Sequence, residues 1–172
     1  MALTTFDQSI LIAAPYEVVQ EHLATLMTNI AEMHPFVVWT RHTQTTTAPD
    51  GTKVDHYLVR DRMKLGPVTI AFTYKVDMNV STTRQLHSNV YQSPGIHLYN
   101  HTWCEPEEDG TRVREHIDIT APRLLMKTTY EGAATAHKEL FANLKTKIEQ
   151  EQTTIPAANQ AEIKQASHGI PD

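Results

Sequence analysis

The chain contains a single cysteine, Cys104, in 172 residues. An internal disulfide is therefore excluded, and a reducing compartment is the simple expectation. No stretch approaches the roughly 20 consecutive apolar residues of a membrane-spanning helix. The opening segment, MALTTFDQSILIAAP, has no basic start leading into a long apolar run, which argues against a signal peptide. Positive charge is in deficit: 15 Lys and Arg against 20 Asp and Glu give a net charge of −5, and nothing suggests the basic face that nucleic acid requires. There is no HExxH or CxxC spacing, no GxSxG elbow and no glycine-rich phosphate loop. The expectation from these absences is a soluble, cytoplasmic protein with no metal, no cofactor, no nucleic-acid partner and no integral membrane association. Ten histidines are present, but none falls at a ligand spacing.

What is present fits one globular domain. The length suits a single core, and 40% apolar with 20% charged residues is ordinary for one. TTFDQSILIAAP reads as a first strand ending at Ala14-Pro15, and Pro15 suits the first turn of a helix. Val18, Val19, His22, Leu23, Leu26 and Met27 then recur at three- and four-residue spacing, an amphipathic stripe. NIAEMHP makes a second short helical turn, stopped by Pro35.

A run of strands follows, separated by turn signals at Asp50-Gly51, Gly66-Pro67, Ser93-Pro94-Gly95 and Asp109-Gly110. The clearest is VTIAFTYKVDM, in which Val68, Ile70, Phe72, Tyr74, Val76 and Met78 alternate with polar or small residues. The phase of the second and third strands, which carry Trp39 and Tyr57, stays open. Hairpin-linked strands make an antiparallel sheet. From about Pro122 to Gln152 the period becomes helical: Leu125, Thr129, Ala133, Ala136, Leu140, Leu144 and Ile148 share a face, with His137 and Phe141 at its margin. The fold class is thus α+β: a seven-stranded curved antiparallel sheet wrapped around a long C-terminal helix, with two short helices after the first strand. Residues 1–152 form the domain, and 153–172 a polar, flexible tail.

About thirty helical residues span about 45 Å, enough to cover the concave face of the sheet. The middle of this helix, YEGAATAH, carries Gly132, Ala133, Ala134 and Ala136 where a core helix usually carries Leu or Ile. Small residues there either let helix and sheet touch closely or leave room for a ligand.

The element order, together with SILIAAPYEVV, YQSPG and EEDGTRVREHIDITAP, resembles the START-like (SRPBCC, helix-grip) superfamily over roughly residues 5 to 150, in particular its bacterial polyketide cyclase/dehydrase-like members. The resemblance implies a hydrophobic cavity between sheet and terminal helix, which favours the second reading of YEGAATAH. It also implies an acidic residue at Glu115 facing a polar one near Asn100.

A two-residue turn at Asp109-Gly110 pairs Glu108 with Thr111, Cys104 with Glu115, Thr102 with Ile117 and Asn100 with Ile119. Leu98, Asn100, Thr102 and Cys104 then share an inner face with Val113, Glu115, Ile117 and Ile119. His97, Tyr99, His101 and Trp103 lie outside with Arg112, Arg114 and His116. A carboxylate on an apolar wall needs a partner, and Arg60 or Arg62 is within reach for Glu115.

The expected function is binding or transport of a small hydrophobic ligand, a lipid, isoprenoid or polyketide-like molecule, in a cavity lined by Phe72, Tyr74, Leu98, Asn100, Thr102, Glu115, Ile117, Thr129, Ala133 and Ala136. One alternative is a cyclase/aromatase- or dehydratase-like enzyme with Glu115, His56 or Tyr74 as acid or base. Another is a regulatory module whose outer His/Tyr/Trp face contacts a partner or makes a homodimer.

Overall fold

The structure, a computed structural model, describes residues 1–65, 67–80 and 84–154. Strand β1 (Ala2–Ile12) is followed by helices α1 (Tyr16–Ala24) and α2 (Leu26–Met33). Strands β2 (Val37–Thr47), β3 (Lys53–Leu65), β4 (Val68–Val80), β5 (Leu86–Gln92), β6 (Ile96–Glu107) and β7 (Gly110–Ala121) come next, and helix α3 (Met126–Thr154) closes the chain. The strands form one seven-stranded sheet in the order β1-β7-β6-β5-β4-β3-β2, antiparallel at every junction. The expected helix-grip architecture is present.

Pro15 caps α1 at φ −59°, the angle its ring imposes and a helix accepts. Val19 and Leu23 turn inward from α1, and Leu26, Met27 and Met33 from α2. Thr25 separates the two helices and donates to Glu21 O at 3.0 Å. α3 starts at Met126, four residues after Pro122, because 122–125 form a turn closed by Leu125 N–H on Pro122 O at 2.9 Å. It runs to Thr154, and the expected tail lies outside the described residues from 155 on. Leu140, Phe141, Leu144 and Ile148 from its second half join Ile12, Val19, Leu23 and Val113 in the main core. No described helix is long and apolar enough to cross a membrane.

The β6–β7 hairpin corrects the expected register. Glu107 pairs with Gly110, so Glu108-Asp109 make the turn and Cys104 lies opposite Val113, Thr102 opposite Glu115, and Asn100 opposite Ile117. Gly110 is used inside the strand rather than in the turn. It takes φ +143°, and a Cβ there would strike Ile12 O and Ala13 Cα, so only glycine lets the end of β1 pass this closely. The displacement is two residues, so each side chain keeps its expected face. The outer face carries stacked rings: His87 and His101 centroids are 4.5 Å apart, His101 and Trp103 4.7 Å, and Tyr91 and His97 5.0 Å.

Candidate functional site

A cavity of about 190 Å³ lies between the first half of α3 and strands β3 to β6. Phe36, Met63, Phe72, Val90 and Leu98 supply apolar walls, and Thr129, Gly132, Ala133 and Ala136 form the helical side. A Cβ added to Gly132 would meet nothing within 4 Å. The small residues of YEGAATAH therefore border space instead of allowing close contact. A second volume of about 80 Å³ adjoins the first, lined by Val59, Met78, Leu140 and the polar Asn100, Thr102 and Glu115. His34, Tyr74, Val90 and His137 border both.

Three aligned strands create the polar row in the smaller volume. Gln8 and Thr102 both stand opposite Glu115 in the sheet register, so all three project to the inner face. Gln8 donates to Glu115 Oε2 at 2.7 Å, and Thr102 donates to Oε1 at 3.4 Å. The counter-charge comes from the helix. His137 Nδ1 sits 3.1 Å from Oε1 and 3.0 Å from Oε2, the imidazole 14% and the carboxylate 5% exposed. Burial works against a charged His137, but the attraction of Glu115 and its hydrogen bond outweigh it, and the His137 pKa is raised. Neither Arg60 nor Arg62 partners Glu115, contrary to expectation: Arg60 donates to Thr73 at 3.0 Å, and Arg62 is exposed.

His34, just past α2, stands edge-on to His137 with centroids 6.2 Å apart. Its Nδ1 accepts the Phe36 N–H at 3.3 Å, which puts the ring proton on Nε2. Burial, with the neighbouring His137 adding to it, lowers its pKa to about 3, so it is neutral under ordinary conditions.

On the opposite wall, Asp61 is 4% exposed and accepts a hydrogen bond from the Tyr74 hydroxyl at 3.1 Å. Burial raises its pKa to about 6, against the opposing effect of that hydrogen bond. The Tyr74 hydroxyl is pushed up in turn, by burial first and then by the Asp61 charge.

Of the ten candidate residues, Phe72, Tyr74, Leu98, Thr129, Ala133 and Ala136 border the larger volume, and Asn100, Thr102 and Glu115 the smaller. Ile117 borders neither; it is fully buried with Leu98 and Ile119 in a separate apolar cluster. His56 lies on the other face of β3, its Nδ1 2.6 Å from Asp77, so it is no acid or base of the cavity. Asp61 and His34 line the cavity as well, and Gln8 supports Glu115. For Asp61 the signal existed: a Gly66-Pro67 turn places it opposite Phe72, the pairing observed. For Gln8 the alternation of β1 is the signal, since it shares a face with Phe6, Ile10 and Ile12; His34 follows a helix end, where no period fixes its direction.

Chemically, the cavity offers a carboxylate–tyrosine pair, a neutral imidazole with an Nε2 proton and an imidazole–carboxylate pair. Among the described residues no group of three or more His, Cys, Asp or Glu is arranged to hold a metal ion.

Residues 4–149 match the family model described as polyketide cyclase / dehydrase and lipid transport. The fold is similar to the di-domain ARO/CYC StfQ from the steffimycin biosynthetic pathway, with TM-score 0.68 and 12% identity over 89% of this chain and 52% of that one. The di-domain ARO/CYC BexL from the BE-7585A biosynthetic pathway gives TM-score 0.64 and 14% identity over 84% of this chain and 49% of that one. The chain thus spans about half the length of these two proteins. The Zhui aromatase/cyclase from Streptomyces sp. R1128 is matched over 91% of this chain and 98% of its own, with TM-score 0.61 and 13% identity. Identities this low describe a shared fold. No curated protein sequence matches the chain.

Proposed function

Because the chain belongs to the polyketide cyclase / dehydrase and lipid transport family, we propose that it binds a small, mainly hydrophobic molecule between the first half of α3 and the sheet. The observation that carries this reading is the open space over Gly132, Ala133 and Ala136. Interiors are normally filled to crystal-like density, so a helix that places small side chains over space has a use for it. The volume also sets a scale for the guest. About 190 Å³ exceeds the roughly 150 Å³ engineered cavity that admits benzene and falls short of the roughly 300 Å³ at which drug-sized sites begin. One or two rings, or a short branched chain, fits. Each methylene moved out of water contributes about 0.8 kcal/mol.

A second reading, cyclase- or dehydratase-like catalysis in the same cavity, is favoured by Asp61. A carboxylate with a pKa of about 6 is suited to take a proton from a carbon beside a carbonyl near neutral pH. The His34 Nε2 proton is a donor for the oxygen on which charge develops.

Native mass spectrometry of the purified protein, before and after denaturation, tests the binding reading. A released apolar molecule in stoichiometric amount is the expected result. The Ala133→Leu variant should retain wild-type circular dichroism and lose the bound molecule. Full occupancy in that variant would refute the assigned lining.

A further inference from the structure

The charges that face the cavity can be counted side chain by side chain. Just past α2, His34 contributes none, since its Nδ1 accepts the Phe36 N–H at 3.3 Å and a doubly protonated ring has no lone pair to offer. From α3 and β7, His137 and Glu115 lie 3.0 Å apart. Together they are neutral if His137 is protonated and negative if it is not, so the pair is never net positive. From β4, Tyr74 is a neutral donor to Asp61. From β3 comes the Asp61 carboxylate, and among the described residues Tyr74 is its one hydrogen-bond partner. Among the described residues no Lys or Arg lines either volume. The wall therefore carries an uncompensated negative charge in apolar surroundings, which is costly unless something bound there answers it.

A second polar atom is left over. Asn100, which borders the smaller volume, donates its amide to Ser88 Oγ at 2.8 Å, while its buried Oδ1 has no hydrogen-bond partner among the described residues. It is an acceptor, as are the oxygens of Asp61. The rings of Phe36, Phe72 and Tyr74 stand in the same wall as Asp61, and aromatic faces attract cations and leave anions unsatisfied.

We propose that the molecule held in this cavity is a protonated amine on an apolar body, its ammonium group on Asp61 and its body between Phe72, Leu98 and the Gly132–Ala136 stretch of α3. The proposal rests on the ligand-binding reading and narrows it. A carboxylate guest, a fatty acid for instance, meets repulsion from Asp61 with no cation to receive it. An alcohol can donate to Asp61 but leaves the charge in place. An ammonium supplies both donor protons and the compensating charge, the stronger kind of hydrogen bond.

The carboxylate of Asp61 has a pKa of about 6, so it is mostly ionised at pH 7 and mostly protonated at pH 5. Amine affinity then falls about tenfold between pH 7 and pH 5, in proportion to the ionised fraction of Asp61.

Four probes with one body test this by fluorescence titration of the purified protein: naphthylmethylamine, naphthylmethanol, naphthoate and naphthalene. The amine is expected to bind about tenfold more tightly than the alcohol, the gain of a charge-assisted over an ordinary hydrogen bond, and naphthoate most weakly. Asp61→Asn should bring the amine down to the level of the alcohol, leave naphthalene unchanged and remove the part of the pH dependence that follows the Asp61 carboxylate, leaving only that of the His137–Glu115 pair. Alcohol or naphthoate equal to the amine, or amine binding unaltered by Asp61→Asn, overturns the amine assignment while naphthalene binding upholds the cavity. Failure of all four probes overturns both.

Discussion

Replacing Asp61 by asparagine should make the protein more stable. The carboxylate is 4% exposed, and burial raises its pKa from 3.8 to about 6. At about 1.36 kcal/mol per pH unit, the fold bears about 3 kcal/mol against the charged form. Asparagine is close in shape and keeps an oxygen to accept the Tyr74 hydroxyl, but its amide protons need partners, which returns about 1 kcal/mol. The net gain at pH 7 is about 2 kcal/mol, or about 4–8 °C in melting temperature for a chain of this size. The sign of the pH dependence follows from linkage. The folded pKa lies above the unfolded one, so the penalty is absent below 3.8, grows between 3.8 and about 6, and is constant above. The advantage of Asp61→Asn is therefore full at pH 7 and above, and near pH 4 the penalty falls to about 0.5 kcal/mol, less than the amide cost, so the advantage is gone. Urea unfolding of both proteins at pH 4, 5.5, 7 and 8, followed by circular dichroism, measures it. A variant no more stable than wild type at pH 7, or one with an equal gain at every pH, would refute the reasoning.

Two further outcomes follow from other contacts. His137→Ala leaves the Glu115 carboxylate, among the described residues, with Gln8 and Thr102 as partners, and urea unfolding at pH 7 should show a loss of about 3 kcal/mol. The His137 pKa is raised, so the pair's contribution is complete below its ordinary 6.5 and is lost as pH rises through the folded value. A Glu115→Leu/His137→Leu double variant should lack that decline. Gly110→Ala places a methyl group against Ile12 O and Ala13 Cα at φ +143°, and thermal melts should register a loss of about 2 kcal/mol. A melt like that of wild type would mean that β1 can yield at its end.

The element order and the inner face of β6 and β7 were legible because alternation there is strict: Leu98, Asn100, Thr102 and Cys104 against His97, Tyr99, His101 and Trp103. Parity survives an error of two residues, so Glu115 was placed on the correct side even with its cross-strand neighbours misassigned. Strand β3 was harder to read. Its apolar residues divide between the two faces, Val54 and Leu58 on one and Tyr57, Val59 and Met63 on the other, so hydrophobicity alone sets neither its phase nor the direction of Asp61. The meeting of His34, His137 and Glu115 joins the end of α2, the middle of α3 and β7. Contacts between elements so distant in sequence depend on how the helix lies across the sheet, which no local period encodes. The same holds for the Gln8 bond to Glu115, across 107 positions.

The two halves of α3 carry different loads. Leu140, Phe141, Leu144 and Ile148 hold the rod to the body of the protein, whereas Thr129, Gly132, Ala133 and Ala136 border the cavity. A chain built this way can acquire a new binding preference through drift. Exchanges among a few small side chains near the front of the rod recut the mould, while the bolts that secure it, one or two turns further on, stay untouched.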